Sequence, residues 1–409
     1  MDLEKNLMKR QTIYDICSQK GTFLFEICNM FNNVPTPELF DFWHGMYFLS
    51  SITNRNVAIS VDDKLYFPNL YTLFVSDNSA LLEDAQRVLE DIENLTTQED
   101  HVFINTYTSP SSFIDMLADR TKTNLLNNIR IGVSSMSVFC KSKDCINMMT
   151  DLYSCPTNRS GYNGKFNYTY KNVFVTFAGK CCANEYFHNV DKSLYDDEFL
   201  ARTFIIPTNK AKTAKEGPEG TEHNITKFIK DLQEKTKTPV FLTYEPYAAR
   251  LLKRYARSNG TKRYGARPYE SAIKLSGLLA LNENKEIISI QHVKNAYKLL
   301  EALMRQTNIY ITKREFEESN KQYKDAITKI LSVIMASGEC GIGHNEVYQK
   351  VRYYVTNEEY VQIMTILFEY NLITKYLHMN GKAIIYAPNE NTDKLDTRGA
   401  NKLIKQLLL

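Results

Sequence analysis

The stretch Asn69–Asp84, NLYTLFVSDNSALLED, is where phosphate chemistry would be expected. An apolar, β-prone run, Leu70–Val75, gives way to the small or polar residues Ser76–Ser79. A helical pattern follows at Leu81, Leu82, Ala85, Val88 and Leu89. Strand, tight turn, helix is the frame of a phosphate-binding loop. A working loop has glycines so that backbone N–H groups can close around phosphate, a Lys to meet the charge, and a Ser or Thr for magnesium. Aligned on the strand end, Ser76 stands at the first Gly, Leu81 at the second, Leu82 at the Lys and Glu83 at the Ser/Thr. Glu83 and Asp84 add negative charge at a helix N-terminus that would otherwise attract an anion. The frame is present without its chemistry, and alone it also fits an ordinary β–turn–α unit.

A second group is basic. Arg250, Lys253, Arg254, Arg257, Lys262, Arg263 and Arg267 follow one another with no acid among them, and Tyr255 and Tyr264 are interleaved. This pattern fits a phosphate-contact surface for nucleic acid. It also fits the solvated face of a helix and loop. No Ser/His/Asp triad and no metal-ligand spacing is legible, so neither an independent enzymatic site, a metal nor a cofactor is expected.

Composition sets the frame around these groups. A chain of 409 residues with 43% hydrophobic content has room for several domains with real cores. Its net charge of +3 means that nucleic-acid binding must come from local patches. The 8 Cys include no CxxC pair and read as reduced thiols of a cytoplasmic protein. The N-terminus, MDLEKNLMKRQ, lacks an apolar signal core, and no apolar run reaches the ~18 residues of a membrane span.

The elements follow from periodicity. Residues 1–54 read as an N-terminal helical segment, broken at Pro35 and Pro37. Residues 55–207 alternate strands and helices, with strands at 70–75, 102–107, 128–133, 173–178 and 203–206. That pattern predicts a layered α/β domain with a largely parallel sheet. A helix is expected to open at Ser109–Ser112, and Pro156–Tyr168 reads as a polar loop. Residues 208–222 read as a flexible linker or exposed loop, and 223–315 as a small all-helical domain. Within 322–388, three helices (323–336, 346–354, 358–370) precede two strands around Asn380-Gly381, the winged-helix order. In such a unit helix three would enter the major groove, yet 358–370 carries no basic residue. Lys350 and Arg352 on helix two, and Lys375 and Lys382 on the wing, are the candidate phosphate contacts. Residues 389–409 form a polar tail ending LIKQLLL.

Five segments, in order, resemble the helicase-type P-loop ATPases of bacterial mobile elements and phages. These are often linked to primases and are more distantly similar to MCM-like AAA+ helicases. FPNLYTLFV (67–75) resembles the strand entering the Walker A loop. NIRIGVSS (128–135) resembles the Walker B strand, with Ser134 and Ser135 where Asp-Glu would stand. VFVTFAGK (173–180) resembles the sensor-1 strand, with Lys180 or Asn184 as its polar residue. EFLARTFII (198–206) resembles the segment that carries an arginine finger, which maps to Arg202. GARPYESAIKLSGLLAL (265–281) resembles the lid segment, with Arg267 on a sensor-2-like position.

The resemblance implies an AAA+/RecA-like P-loop core, a helical lid domain and a C-terminal winged helix. The departures imply a pseudo-ATPase, because Ser134 and Ser135 can neither hold magnesium nor polarise water. The implied function is an inactive helicase-like homologue in replication of a phage or mobile element. It would bind DNA and assemble with itself or with an active helicase or replication protein. A DNA-binding regulator that uses the core to oligomerise, and an atypical active NTPase built around Lys180, are the alternatives. Arg202 would serve either as a finger in trans or as a structural cation.

Overall fold

Pro35 and Pro37 separate two apolar helices, α1 (Phe23–Met30) and α2 (Glu38–Thr53). The computed structural model describes residues 13, 15–16, 19–94, 101–104, 109–123, 125, 127–133, 143–162, 167–182, 199–208, 212–214, 220–258, 268–369, 373–377 and 384–388. It divides into two units, Met1–Asn308 and Ile309–Leu409. Every residue of α2 from Phe40 to Thr53 is buried, as expected of a helix apolar on all sides. Gly45 permits the close approach of α1: a Cβ there would lie 2.9 Å from Leu24 Cδ2.

A hairpin follows, β1 (Val57–Val61) and β2 (Lys64–Tyr66). Its two turn residues, Asp62 and Asp63, both have positive φ (48° and 60°), which matches the right-handed twist of the paired strands. The chain then enters β3 (Tyr71–Ser76), buried throughout, and α3 (Ser79–Asn94). Next are β4 (His101–Ile104), α4 (Pro110–Lys122), β5 (Asn127–Val133) and α5 (Lys143–Leu152). Ser109 caps α4 by accepting the Ser112 N–H at 3.2 Å, with Pro110 in the first turn, as the sequence predicts.

The polar segment 156–168 departs from its reading as a loop. It contributes to a hairpin, β6 (Asn158–Tyr162) paired with β7 (Asn167–Lys171). Its stabilisation is cross-strand rather than apolar, which is why no alternating pattern announces it. Ser160 and Thr169 hydroxyls lie 2.8 Å apart, and only Tyr170 of β7 is buried.

Then come β8 (Val173–Cys182), a 3₁₀ turn at Leu200–Arg202 and β9 (Thr203–Pro207). The sheet order is β4-β5-β8-β3-β9, and every pairing is parallel. The parallel sheet with intervening helices expected within 55–207 is thus observed from β3 to β9, with β3 inside the sheet, while β1 and β2 are not part of it. In the expected linker, Lys212 is not free: its ammonium pairs with the buried Asp41 carboxylate.

Residues 223–315 are not all helical. Helix α6 (Thr221–Lys235) leads into β10 (Val240–Tyr244); α7 (Pro246–Ser258), α8 (Pro268–Asn282), β11 (Ile287–Ile288) and α9 (Ile290–Met335) follow. Strand β10 pairs in parallel with β1 in a second sheet, β11-β10-β1-β2. Val240 and Leu242 point inward while Phe241 and Thr243 face solvent, a half-buried strand too short to stand out between helices. Gly277 of α8 crosses β1 so closely that a Cβ would meet Ile59 Cδ1 at 2.4 Å. The segment therefore shares one core with α1 and α2.

The segments placed at 223–315 and from 322 onward are joined by one helix. Helix α9 runs for 46 residues, with neither Gly nor Pro within it to stop it, and the division between the two units falls inside it. In the second unit its last turns pack Ile327, Ile330 and Ile334 against α10 (His344–Val351) and α11 (Asn357–Glu369). Among the described residues of that unit three strands follow, β12 (Ile342–Gly343), β13 (Ile373–Leu377) and β14 (Ile384–Pro388), in antiparallel order β12-β14-β13. Thr356 and Glu359 form a capping box at α11: Thr356 Oγ1 accepts the Glu359 N–H at 3.3 Å, and Glu359 Oε2 accepts the Thr356 N–H at 2.8 Å. The Asn380-Gly381 turn lies outside the described residues.

Candidate phosphate and nucleic-acid sites

In an open parallel sheet, ligands bind beyond the carboxyl ends of strands where the connections diverge. The chain leaves β3 for the β4 edge and later returns from β8, past β3, to β9. The carboxyl end of β3 is therefore the place for a phosphate site. Only Asp77 and Asn78 separate β3 from α3. Ser76 Oγ accepts the Asn78 N–H at 3.1 Å, and Asn78 Oδ1 accepts the Ala80 N–H at 3.0 Å. Backbone donors of the kind that would wrap phosphate are thus used within the turn. Leu81 and Leu82 are buried at 4% and 5% exposure, and Leu82 belongs to the main core. Glu83 is exposed. No side chain in this turn supplies positive charge.

Lys180, the cation expected nearest this edge, lies on β8 in register with Phe74 of β3. Burial lowers its pKa, and Glu83 and Glu90 of α3 oppose that shift by favouring the charged form. Ser134, Ser135, Asn184 and Arg267 lie outside the described residues.

At the opposite end of the sheet is a cluster that was not legible as a site in the sequence. Lys274 of α8 is buried, donates to Asn69 Oδ1 at 2.7 Å and lies 3.6 Å from Glu270 Oε1. Its Nζ is 3.4 Å from the centroid of the Tyr153 ring. Burial pushes its pKa down to about 8, against the pull of Glu270. Asn69 in turn donates to Tyr153 O (3.0 Å) and Val175 O (3.1 Å). Arg202 stands 5.8 Å from the same Tyr153 ring, partly buried. Arg55 bonds Cys155 O, Val173 O (2.9 Å) and Thr157 Oγ1 (2.7 Å). These groups tie α8, the entry to β3 and the entry to β8 together. The buried thiol of Cys155 is pushed up to about 11 and is no nucleophile.

The basic run falls partly on α7. Arg250, Lys253 and Arg254 are exposed there, and Arg257 lies near its end; Lys262 and Arg263 lie outside the described residues. Lys253 is paired with Asp62 at 2.6 Å. Tyr255 is turned inward and stacked on Tyr297 at 4.2 Å, so it is not a surface aromatic. In the second unit, Lys350 pairs with Glu346 at 3.1 Å, and Arg352 donates to Gln349 Oε1 at 2.9 Å and Tyr353 OH at 3.1 Å. Lys375 is exposed on β13, and Lys382 lies outside the described residues. Helix α11 exposes Glu358, Val361, Thr365 and Phe368.

No protein-family model matches the chain, and no curated protein matches it. Among solved structures, a full-length MCM homolog from Methanopyrus kandleri superposes with a TM-score of 0.44 and 9% identity, over 73% of this chain and 61% of that one. The chain thus spans less than two thirds of that homolog's length. Among the described residues, no helix is long and apolar enough to cross a membrane.

Proposed function

We propose that this chain is a catalytically inactive, helicase-like ATPase homologue that binds nucleic acid and assembles with itself or an active partner during replication of a phage or mobile element. The observation that carries this reading is the β3–α3 junction. Two residues replace a loop, side chains occupy its amides, and Leu82 and Glu83 stand where a Lys and a magnesium hydroxyl would be. Burying Leu82 in the core and placing Glu83 at a helix N-terminus both oppose phosphate.

The AAA+-like part of the reading draws support from the sheet. The strands that resemble the Walker A, sensor-1 and Walker B strands are β3, β8 and β5, adjacent in that order and parallel. Their carboxyl ends share one edge, which is where the chemistry of an active relative would have to converge. The three helices and three-stranded sheet of the second unit support a winged-helix reading. Arg202, partly buried beside Tyr153, fits a structural cation better than a finger reaching a neighbour.

Phosphate release from magnesium–ATP, with and without DNA, tests the proposal. Release no faster than the no-protein control is expected under both conditions. DNA-stimulated turnover that survives repurification would overturn it.

A further inference from the structure

Helix α7 presents one aromatic to solvent among its cations. Tyr247 is 69% exposed, and the Arg250 guanidinium carbon lies 5.4 Å from its ring centroid. Arg254 is exposed one turn further on. Positions 247, 250 and 254 are spaced i, i+3 and i+7, so they share a face. The opposite face is the buried one: Ala248 and Leu252 are in the core, and Tyr255 is stacked on Tyr297. The helix has no acidic residue, and Glu245 just before it accepts the Ile290 N–H at 3.4 Å. Lys253, on the flank of the stripe, is held by Asp62.

We infer that Tyr247, Arg250 and Arg254 form a stacking platform for single-stranded nucleic acid. This deepens the proposed nucleic-acid binding and rests on it. An exposed aromatic face flanked by guanidinium groups takes an unstacked base on its π-surface and the adjoining phosphates on its cations. A duplex hides its base faces and offers only phosphates to such a stripe. The arrangement therefore selects single strands, with little dependence on sequence.

The probes are a fluorescent oligothymidylate of roughly 20 nucleotides, longer than the ~4–16 nucleotides of common single-strand modules, and a duplex of equal length. Anisotropy is followed over a salt series with the full chain. Tyr247→Ala is expected to weaken oligothymidylate binding about tenfold, within the range of base–aromatic stacking, and to leave duplex binding within about twofold. Tyr247→Phe should retain wild-type affinity. Arg250→Ala and Arg254→Ala should each reduce the slope of log affinity against log salt by about 0.7. All four substitutions are at exposed positions, and an unchanged thermal midpoint confirms folding. If the wild type binds oligothymidylate and Tyr247→Ala binds it equally well, the platform is wrong while nucleic-acid binding stands. If the wild type binds neither probe at low salt, the nucleic-acid reading itself fails, and the platform with it.

Discussion

Ser76 Oγ accepts the backbone N–H of Asn78 at 3.1 Å, closing the turn that follows the buried strand β3. The bond spans a turn of two residues, and Asn78 repeats the device by capping Ala80. A loop that holds phosphate must keep its N–H groups free and pointed outward. Here the Asn78 and Ala80 amides are satisfied internally, and the next two positions on the helix face the core.

Leu82 is core rather than site, so converting it to the residue of an active loop should harm the protein. Leu82→Lys removes a buried apolar side chain and puts an ammonium in its place. The expected loss is about 2–5 kcal/mol, at least that of a core truncation. Urea denaturation measures it. A variant as stable as the wild type, with nucleotide affinity gained, would show that this edge is an open site.

His44 gives a pH signature. Its ring lies 4.0 Å from that of Phe74, nearly parallel, and burial lowers its pKa to about 3. The unfolded chain takes up a proton near 6.5 that the folded chain refuses. The stability from neutral His44 is therefore complete above 6.5 and lost as pH falls through about 3. Asp41, one turn away, acts oppositely, since burial raises its carboxyl to about 6. Comparison with His44→Phe isolates the histidine: between pH 6.5 and 5 the wild type should lose about 2 kcal/mol more than the variant. Equal pH dependence would mean that the ring is hydrated.

Lys274 provides the matching test on the alkaline side. Its folded pKa of about 8 lies below the ordinary 10.5, so stability from its neutral form is present above 10.5 and lost as pH falls through about 8. Between pH 7.5 and 9.5 the wild type should gain about 2 kcal/mol relative to Lys274→Met. Chemical denaturation at the two pH values reads the difference directly. No differential gain would place the ammonium in contact with water.

Much of this architecture could be read from the chain because local signals agreed with tertiary demands. The run Leu70–Val75 is apolar without alternation, as a strand covered on both faces must be. Ser109 before Pro110, and Thr356 three residues before Glu359, announce helix starts that the structure contains. What was hidden depended on distant partners. Strand β10 pairs with an edge that β1 offers; VFLTY is β-prone and follows Pro239, but with apolar Phe241 exposed it lacks the polar–apolar alternation that would set it apart from its helical neighbours. Nothing in the local sequence marks Lys274 as buried, and only the packing of α8 places it beside Asn69. Tyr255 lies within the basic run and Tyr247 before it, and only the helix phase shows which of the two faces the core.

The second unit should contribute little phosphate contact through α10. Lys350 and Arg352 are held by Glu346, Gln349 and the Tyr353 hydroxyl, and Glu358 is exposed on the neighbouring helix. Lys350→Ala with Arg352→Ala should leave affinity for duplex and single-stranded probes within about twofold, since Lys350 faces Glu346, Arg352 is engaged by Gln349 and Tyr353, and the acidic Glu358 lies exposed nearby on α11. A loss exceeding that of Arg250→Ala and Arg254→Ala would move the nucleic-acid interface to this unit.

The most direct test of the central claim is titration of the purified chain with a fluorescent ATP analogue in the presence of magnesium. With the Asn78 and Ala80 amides engaged by Ser76 and Asn78, and with no cation in the turn, no saturable binding is predicted up to about millimolar nucleotide, an upper bound of roughly −4 kcal/mol. Saturable binding at micromolar nucleotide, displaced by unlabelled ATP, would contradict the account and show that a nucleotide site survives.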